Sequence, residues 1–191
     1  MVQADEVLAF WLDEVGPQGW YKQDAELDDR IRKRFRSVWD RAGDGGLGLW
    51  LTYPSGVLAF LIVTDQFPRN MFRGEPEAFA LDHLAQAAAK QAIQRGWDMR
   101  IDPPARQFFY LPLMHSEALP DQDHCVRAIC DRMPDAADTL LHARVHREII
   151  RQFGRFPYRN AALGRRDTQA EAAFLSSGGY GQILRELQAT A

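Results

Sequence analysis

"DAELDDRIRKRFRSVWDRAG", residues 24–43, is the stretch that sets the fold class. Leu27, Ile31, Phe35, Val38 and Ala42 recur three or four residues apart, which lines them along one face of an α-helix. Asp24 is placed to cap the first turn and Gly43 to stop the last. The same pattern runs outward in both directions. "EPEAFALDHLAQAAAKQAIQRG", residues 75–96, reads as one helix opened by Pro76 and closed by Gly96. "DAADTLLHARVHREIIRQFG", residues 135–154, has Ala137, Leu141, Val145, Ile149 and Phe153 four apart, then Gly154. "TQAE" at 168–171 is a capping box ahead of Ala172 to Leu175. Shorter helices are expected near 5–15, 54–66, 104–113 and 121–132. Only "YLPL" and "FLIV" are locally strand-like, and neither has a hairpin partner. The expected architecture is all-α, with about eight helices and no substantial sheet.

A chain of 191 residues without low-complexity segments or a long linker reads as a single helical domain, 1–191. With 46% hydrophobic residues it can bury a substantial core. A net charge of -3 and a pI near 5.9 argue against nucleic-acid partners. "MVQADEVLAF" has no basic leader and does not read as a signal peptide. The longest apolar run, "VLAFLIV" at 57–63, is too short to span a bilayer. Cys125 and Cys130 are five apart and point in different directions on a helix, so neither a disulfide nor a metal pair is expected. A reducing cytoplasm fits. The five tryptophans, Trp11, Trp20, Trp39, Trp50 and Trp97, read as core and groove-lining residues.

Two loops echo each other. "DQFPRN", Asp65 to Asn70, and "RFPYRN", Arg155 to Asn160, each put Phe-Pro ahead of Arg-Asn. Phe67 and Phe156 are 89 residues apart, which is no multiple of the roughly 34-residue tetratricopeptide period. The loops therefore read as two solutions of one local problem, with Pro ending a helix and Asn capping a single-turn helix in "MFRG" or "AALGR".

"DQFPRNMFRG", "FFYLPLMHSE" and "GRFPYRNAALGR", in this order and spacing, resemble the signature stretches of the bacterial domain-of-unknown-function 924 family. The resemblance extends from "VLAFWLDEV" to "EAAFLSSGG". It implies a tetratricopeptide-like αα-superhelix and no established activity. Tyr158 departs from the family pattern, which more often carries His there.

Residues 144–166 hold seven arginines, no lysine, and Glu148 as their one acid. Arg147 and Arg151 lie about 200° around the helix from Val145 and Ile149 and face water. Arg155 and Arg159 sit in the second loop with Arg165 close behind, and Arg69 and Arg73 occupy comparable places in the first. A planar, permanently charged fork suits a carboxylate or phosphate. The structural alternative is that Asp65, Glu75 or Glu117 fixes these arginines internally.

Histidines add a second strand. His115, Ser116 and Glu117 follow an apolar run at a helix end, while His142 and His146 share one helical stripe. No HExxH, ExxH or PCxxC accompanies them, so no metal site is assigned. GxGxxG after a strand, GxxxxGK[ST] and GxSxG are also absent. "GDGGLG" at 43–48 is a helix stop and turn.

The expected site is an Arg/His/Asn pocket for a small anionic ligand, phosphate or carboxylate, formed where both loops converge with "HSE". Arg69, Arg73, Arg155, Arg159 and Arg165 hold the anion, Asp65 and Glu117 orient arginines, and Asn70 and Asn160 cap or donate. His115, Glu117 and His146 are the candidate acid–base groups. Neither the cofactor nor whether a reaction occurs can be named. The competing expectation is a peptide-binding scaffold without catalysis.

Overall fold

The computed structural model describes residues 2–189, and among them ten α-helical stretches joined by 3-10 and π-helical turns carry the chain, with no strand. The protein is all-α. Two compact units follow one another along the chain, the first ending at Pro112 and the second beginning at Leu113. None of the described helices is long and apolar enough to cross a membrane. Cys125 and Cys130 are both free.

The first unit starts with α1 (Ala4–Leu8), which widens into a π-helical stretch, Ala9–Val15. The amphipathic stretch 24–43 forms α2 (Ala25–Gly43) as its spacing predicts, and the Asp24 carboxylate accepts from the amides of Glu26 and Leu27. Next come α3 (Pro54–Leu61), a π-helical stretch (Ile62–Gln66) and α4 (Phe67–Met71), running without interruption. α1 packs on α3 and α2 on α4. Phe67 is fully buried where they meet, 4.8 Å from Phe35, 5.4 Å from Trp11 and 6.1 Å from Phe10 between ring centroids. Trp20 closes this cluster by donating its indole N–H to the Trp11 carbonyl at 2.8 Å.

Two local expectations are corrected here. Pro68 does not end a helix. The π-helical turn before it makes room, because the Phe67 amide reaches back to Ile62 and the wider ring relieves the proline clash with the preceding turn. Residues 75–96 are not one helix either. A 3-10 turn (Pro76–Phe79) is followed by a break at Leu81, whose ψ of 8° is not helical, and then α5 (Asp82–Gln94). The break sets the Asp82 carboxylate, in the first turn of α5, against Arg69. The unit closes through a 3-10 turn, Ala105–Phe109.

The chain enters the second unit through the short α6 (Leu111–Met114). α7 (Leu119–Arg132) packs on α8 (Ala137–Phe153). α8 stops where Gly154 takes a left-handed φ of 67°, a conformation glycine adopts without a Cβ clash. A 3-10 turn (Pro157–Arg159) leads to α9 (Gln169–Ser176), opened by the expected capping box of Thr168 and Glu171. α10 (Gly179–Ala189) lies on α8, and Val145, Ile149, Ile150, Phe156, Phe174 and Ile183 form the core. "MFRG" and "AALGR" form turns rather than single-turn helices.

Candidate functional site

Each unit contains one copy of the repeated loop, and each copy buries its phenylalanine completely. In the first unit the loop is a network of ion pairs. Arg69 donates to both oxygens of Asp82 at 3.0 Å and lies 3.1 Å from Asp65. Arg73 grips Asp28 with two nitrogens. Asn70 donates to Asp28 at 2.8 Å and accepts from Gln66 at 3.0 Å, so it ties α4 to α2 rather than capping a new helix. Asp65, Arg69, Asn70 and Arg73 are thus brought together around partners, Asp28 and Asp82, that the local sequence does not indicate.

In the second unit Glu117 is the organising carboxylate. Arg165 donates to its two oxygens at 2.7 and 3.0 Å, and the Phe156 amide donates at 2.8 Å. Burial alone would raise the Glu117 pKa, but the Arg165 fork, the Phe156 amide and the charges of Arg165 and Arg159 hold it below the ordinary carboxylate range. Arg155 is clamped by both oxygens of Glu171, which also accepts the Thr168 amide at 2.7 Å. The Arg155 clamp and that amide pull the Glu171 pKa far down. An open depression of about 420 Å³ borders this pair, lined by Gln152, Phe153, Arg155, Thr168, Ala170 and Glu171. Its one arginine is neutralised in place.

Arg159 is buried with its guanidinium 4.4 Å from the Phe156 ring centroid and donates to the His115 carbonyl at 3.0 Å. Asn160 is also buried. Its amide donates to Asp167 at 2.7 Å, whereas its Oδ1 has no partner among the described residues. In "HSE", Ser116 donates to Asp121 at 2.8 Å, and Gln122 donates to the carbonyls of Met114 and Ser116. Three successive carbonyls, 114 to 116, are therefore tied down, which fixes the place where the His115 ring leaves the backbone.

His146 stands within a group of rings: His115 at 5.9 Å, Phe156 at 5.5 Å and Tyr180 at 5.1 Å. Its Nδ1 donates to the His142 carbonyl at 2.8 Å, and among the described residues Nε2 has no hydrogen-bond partner. Desolvation, the neighbouring His115 and the Arg159 charge lower its pKa to about 3, against the pull of the His142 carbonyl. The ring is neutral at pH 7. His142 Nδ1 and the Tyr180 hydroxyl share a hydrogen bond, and the two rings stack. Among the described residues no cluster of three or more His, Cys, Asp or Glu is arranged to hold a metal ion.

The model of the family described as "Bacterial protein of unknown function (DUF924)" matches residues 7–179. The chain belongs to that family. A solved structure of a protein of unknown function from Agrobacterium tumefaciens is similar, with 38% sequence identity and a TM-score of 0.86. The match covers 92% of this chain and 97% of that one. No curated protein matches.

All three stretches that carry the family resemblance fall inside the match. Sequence reading named the arginines and histidines of this DUF924 member but missed Tyr180, Asp28, Asp82 and Asp167. The signal for Tyr180 was present in its spacing with Ile183, Leu184 and Leu187, the stripe by which α10 meets α8. For Asp28, 45 residues from its partner Arg73, no local signal exists.

Proposed function

We propose that the second unit binds a small anionic ligand, a phosphate or carboxylate, beside His115, His146, Arg159 and Asn160. What supports the reading is His146: a neutral imidazole with Nε2 open, whose titration feels the Arg159 charge. A positive surrounding favours an anion and disfavours a metal cation at that nitrogen. Arg155 and Arg165 frame the site from their carboxylates, with Glu117 as the group that orients Arg165. The proposal extends less well to Asp65, Arg69, Asn70 and Arg73. A ligand there would have to compete with Asp28, Asp65 and Asp82 for both guanidinium groups. An imidazole with a pKa near 3 is a weak base at pH 7, so binding is better supported than proton abstraction.

Intact mass under native and denaturing conditions tests whether a molecule is retained, and phosphate titration of Arg159→Lys against the parent tests who holds it. The expected result is a loss of phosphate affinity of about tenfold or more, as a bidentate guanidinium is replaced by a point charge. Equal affinity in the two proteins would remove Arg159 from the site. Retention of a peptide instead would favour the scaffold reading.

A further inference from the structure

The open depression of the second unit is lined by none of His115, His146 or Arg159, so its chemistry is separate from the anion reading. Its charge is the first guide. Arg155 and Glu171 are the two ionised groups of the lining, and they cancel: the Glu171 oxygens accept Arg155 Nε, Arg155 Nη2 and the Thr168 amide. Gln152, Phe153, Thr168 and Ala170 carry no charge. An anion would meet the Glu171 carboxylate beside the guanidinium, and a cation the guanidinium beside the carboxylate. An uncharged ligand meets no such opposition.

The open hydrogen-bonding groups are the second guide. Arg155 Nε and Nη2 are committed to Glu171, and Nη2 also to the Arg166 carbonyl at 2.9 Å. Nη1, with two hydrogens, has no acceptor among the described residues. Gln152 Nε2 donates to Glu148 at 3.0 Å, one turn earlier on α8. An ionised carboxylate only accepts, so this bond sets the amide one way round and leaves Gln152 Oε1 as an acceptor. Thr168 Oγ1 accepts the Glu171 amide and keeps its hydroxyl hydrogen. Phe153, held against Phe174 at 4.8 Å, and Ala170 are apolar.

We propose that this depression binds a short extended peptide segment, its carbonyl accepting from Arg155 Nη1, its N–H donating to Gln152 Oε1, and an apolar side chain lying on Phe153. A secondary amide is neutral and carries a strong acceptor and a donor side by side, and next to an apolar side chain it is a peptide. A sugar is neutral too, but it brings a donor on every hydroxyl to a lining whose uncommitted amide acceptor is Gln152 Oε1. A volume of about 420 Å³ lies at the small end of ligand sites and suits a short segment.

The probe is N-acetyl-leucinamide, with leucine, glucose and phosphate for comparison. Leucine keeps the side chain, is charged at both ends and lacks the secondary amide. The 191-residue chain, labelled with ¹⁵N, is titrated with each at pH 7, and the backbone amides of Gln152, Phe153, Thr168 and Ala170 are followed. The expected result is a saturable shift of these amides by N-acetyl-leucinamide, with a Kd on the order of 1 mM, and none by the other three in that range. Gln152→Ala, at an exposed helical position where alanine is favourable, should weaken the probe about fivefold, the worth of one hydrogen bond. Unchanged affinity in that variant would overturn the pairing that selects a peptide. Phosphate or glucose acting at equal or lower concentration would overturn the inference in favour of an anion or a sugar, and leucine acting as well as the probe would remove the amide from it. No shift from any of the four would overturn it outright. Shifts at His146 with phosphate report on the anion site alone, so the two readings fail separately.

Discussion

A side chain with no exposed surface cannot be trimmed without leaving a hole, and Phe67 and Phe156 are two of these. Phe67 meets three aromatic rings in the first unit, and Phe156 supports His146, Tyr158 and Arg159 in the second. Phe67→Ala and Phe156→Ala are each expected to cost about 3–5 kcal/mol, measured by urea unfolding. Changes below about 1 kcal/mol would mean the repeated loop is not an anchor. Glu117 poses a different question, because its oxygens serve Arg165 and the Phe156 amide together. Glu117→Gln keeps the shape, removes the charge, and leaves the Arg165 guanidinium without its counterion. A lower thermal midpoint is expected. An unchanged midpoint would show that this partly buried pair is offset by its desolvation.

At the scale of the element, the capping box of α9 is the most local device in the molecule. Thr168 accepts the Glu171 amide at 3.2 Å and Glu171 accepts the Thr168 amide at 2.7 Å. Thr168→Ala should destabilise the protein by about 1 kcal/mol in chemical denaturation, and Thr168→Ser should restore most of it. Because partners three residues apart are written side by side, this cap could be read from the sequence, as could Asp24 on α2 and the periodicity of α8. The π-helical stretch before Pro68 could not, since a proline in sequence signals a break whether the chain bends or widens. The arginines were legible as residues and only in part as pairs: Asp65 and Glu117 were named as partners and do pair with Arg69 and Arg165, whereas the more distant carboxylates were not. Arg69 finds Asp82 13 residues on, Arg155 finds Glu171 16 residues on, and Arg73 finds Asp28 45 residues back. α10 was not among the expected helices, and Gly179, a poor helix former, opens it. With α10 went Tyr180, and with Tyr180 the reason for the orientation of His142.

For the whole molecule, three groups move stability with pH in the same direction. His146 has its folded pKa lowered to about 3 from an ordinary 6.5, so between those values the unfolded chain binds a proton that the folded one refuses. Its contribution is complete above pH 6.5 and declines as pH falls toward 3. Glu117 and Glu171 also have depressed folded values, and the unfolded chain takes up their protons below about 4.5. Stability is therefore expected to fall on acidification from pH 6.5, first by at most one proton's worth, about 1.4 kcal/mol per pH unit. Below pH 4.5 the decline should steepen as both carboxylates join. Urea midpoints measured from pH 7.5 to 3.5 separate the parts. His146→Phe should flatten the profile between pH 6.5 and 4.5 while leaving the steeper acid limb. Glu171→Gln should do the reverse, lowering stability at neutral pH and softening the limb below 4.5. A His146→Phe profile that still falls between pH 6.5 and 4.5 as the parent does would show that the His146 imidazole is not the group refusing a proton, and would remove the support for a neutral ring at that position.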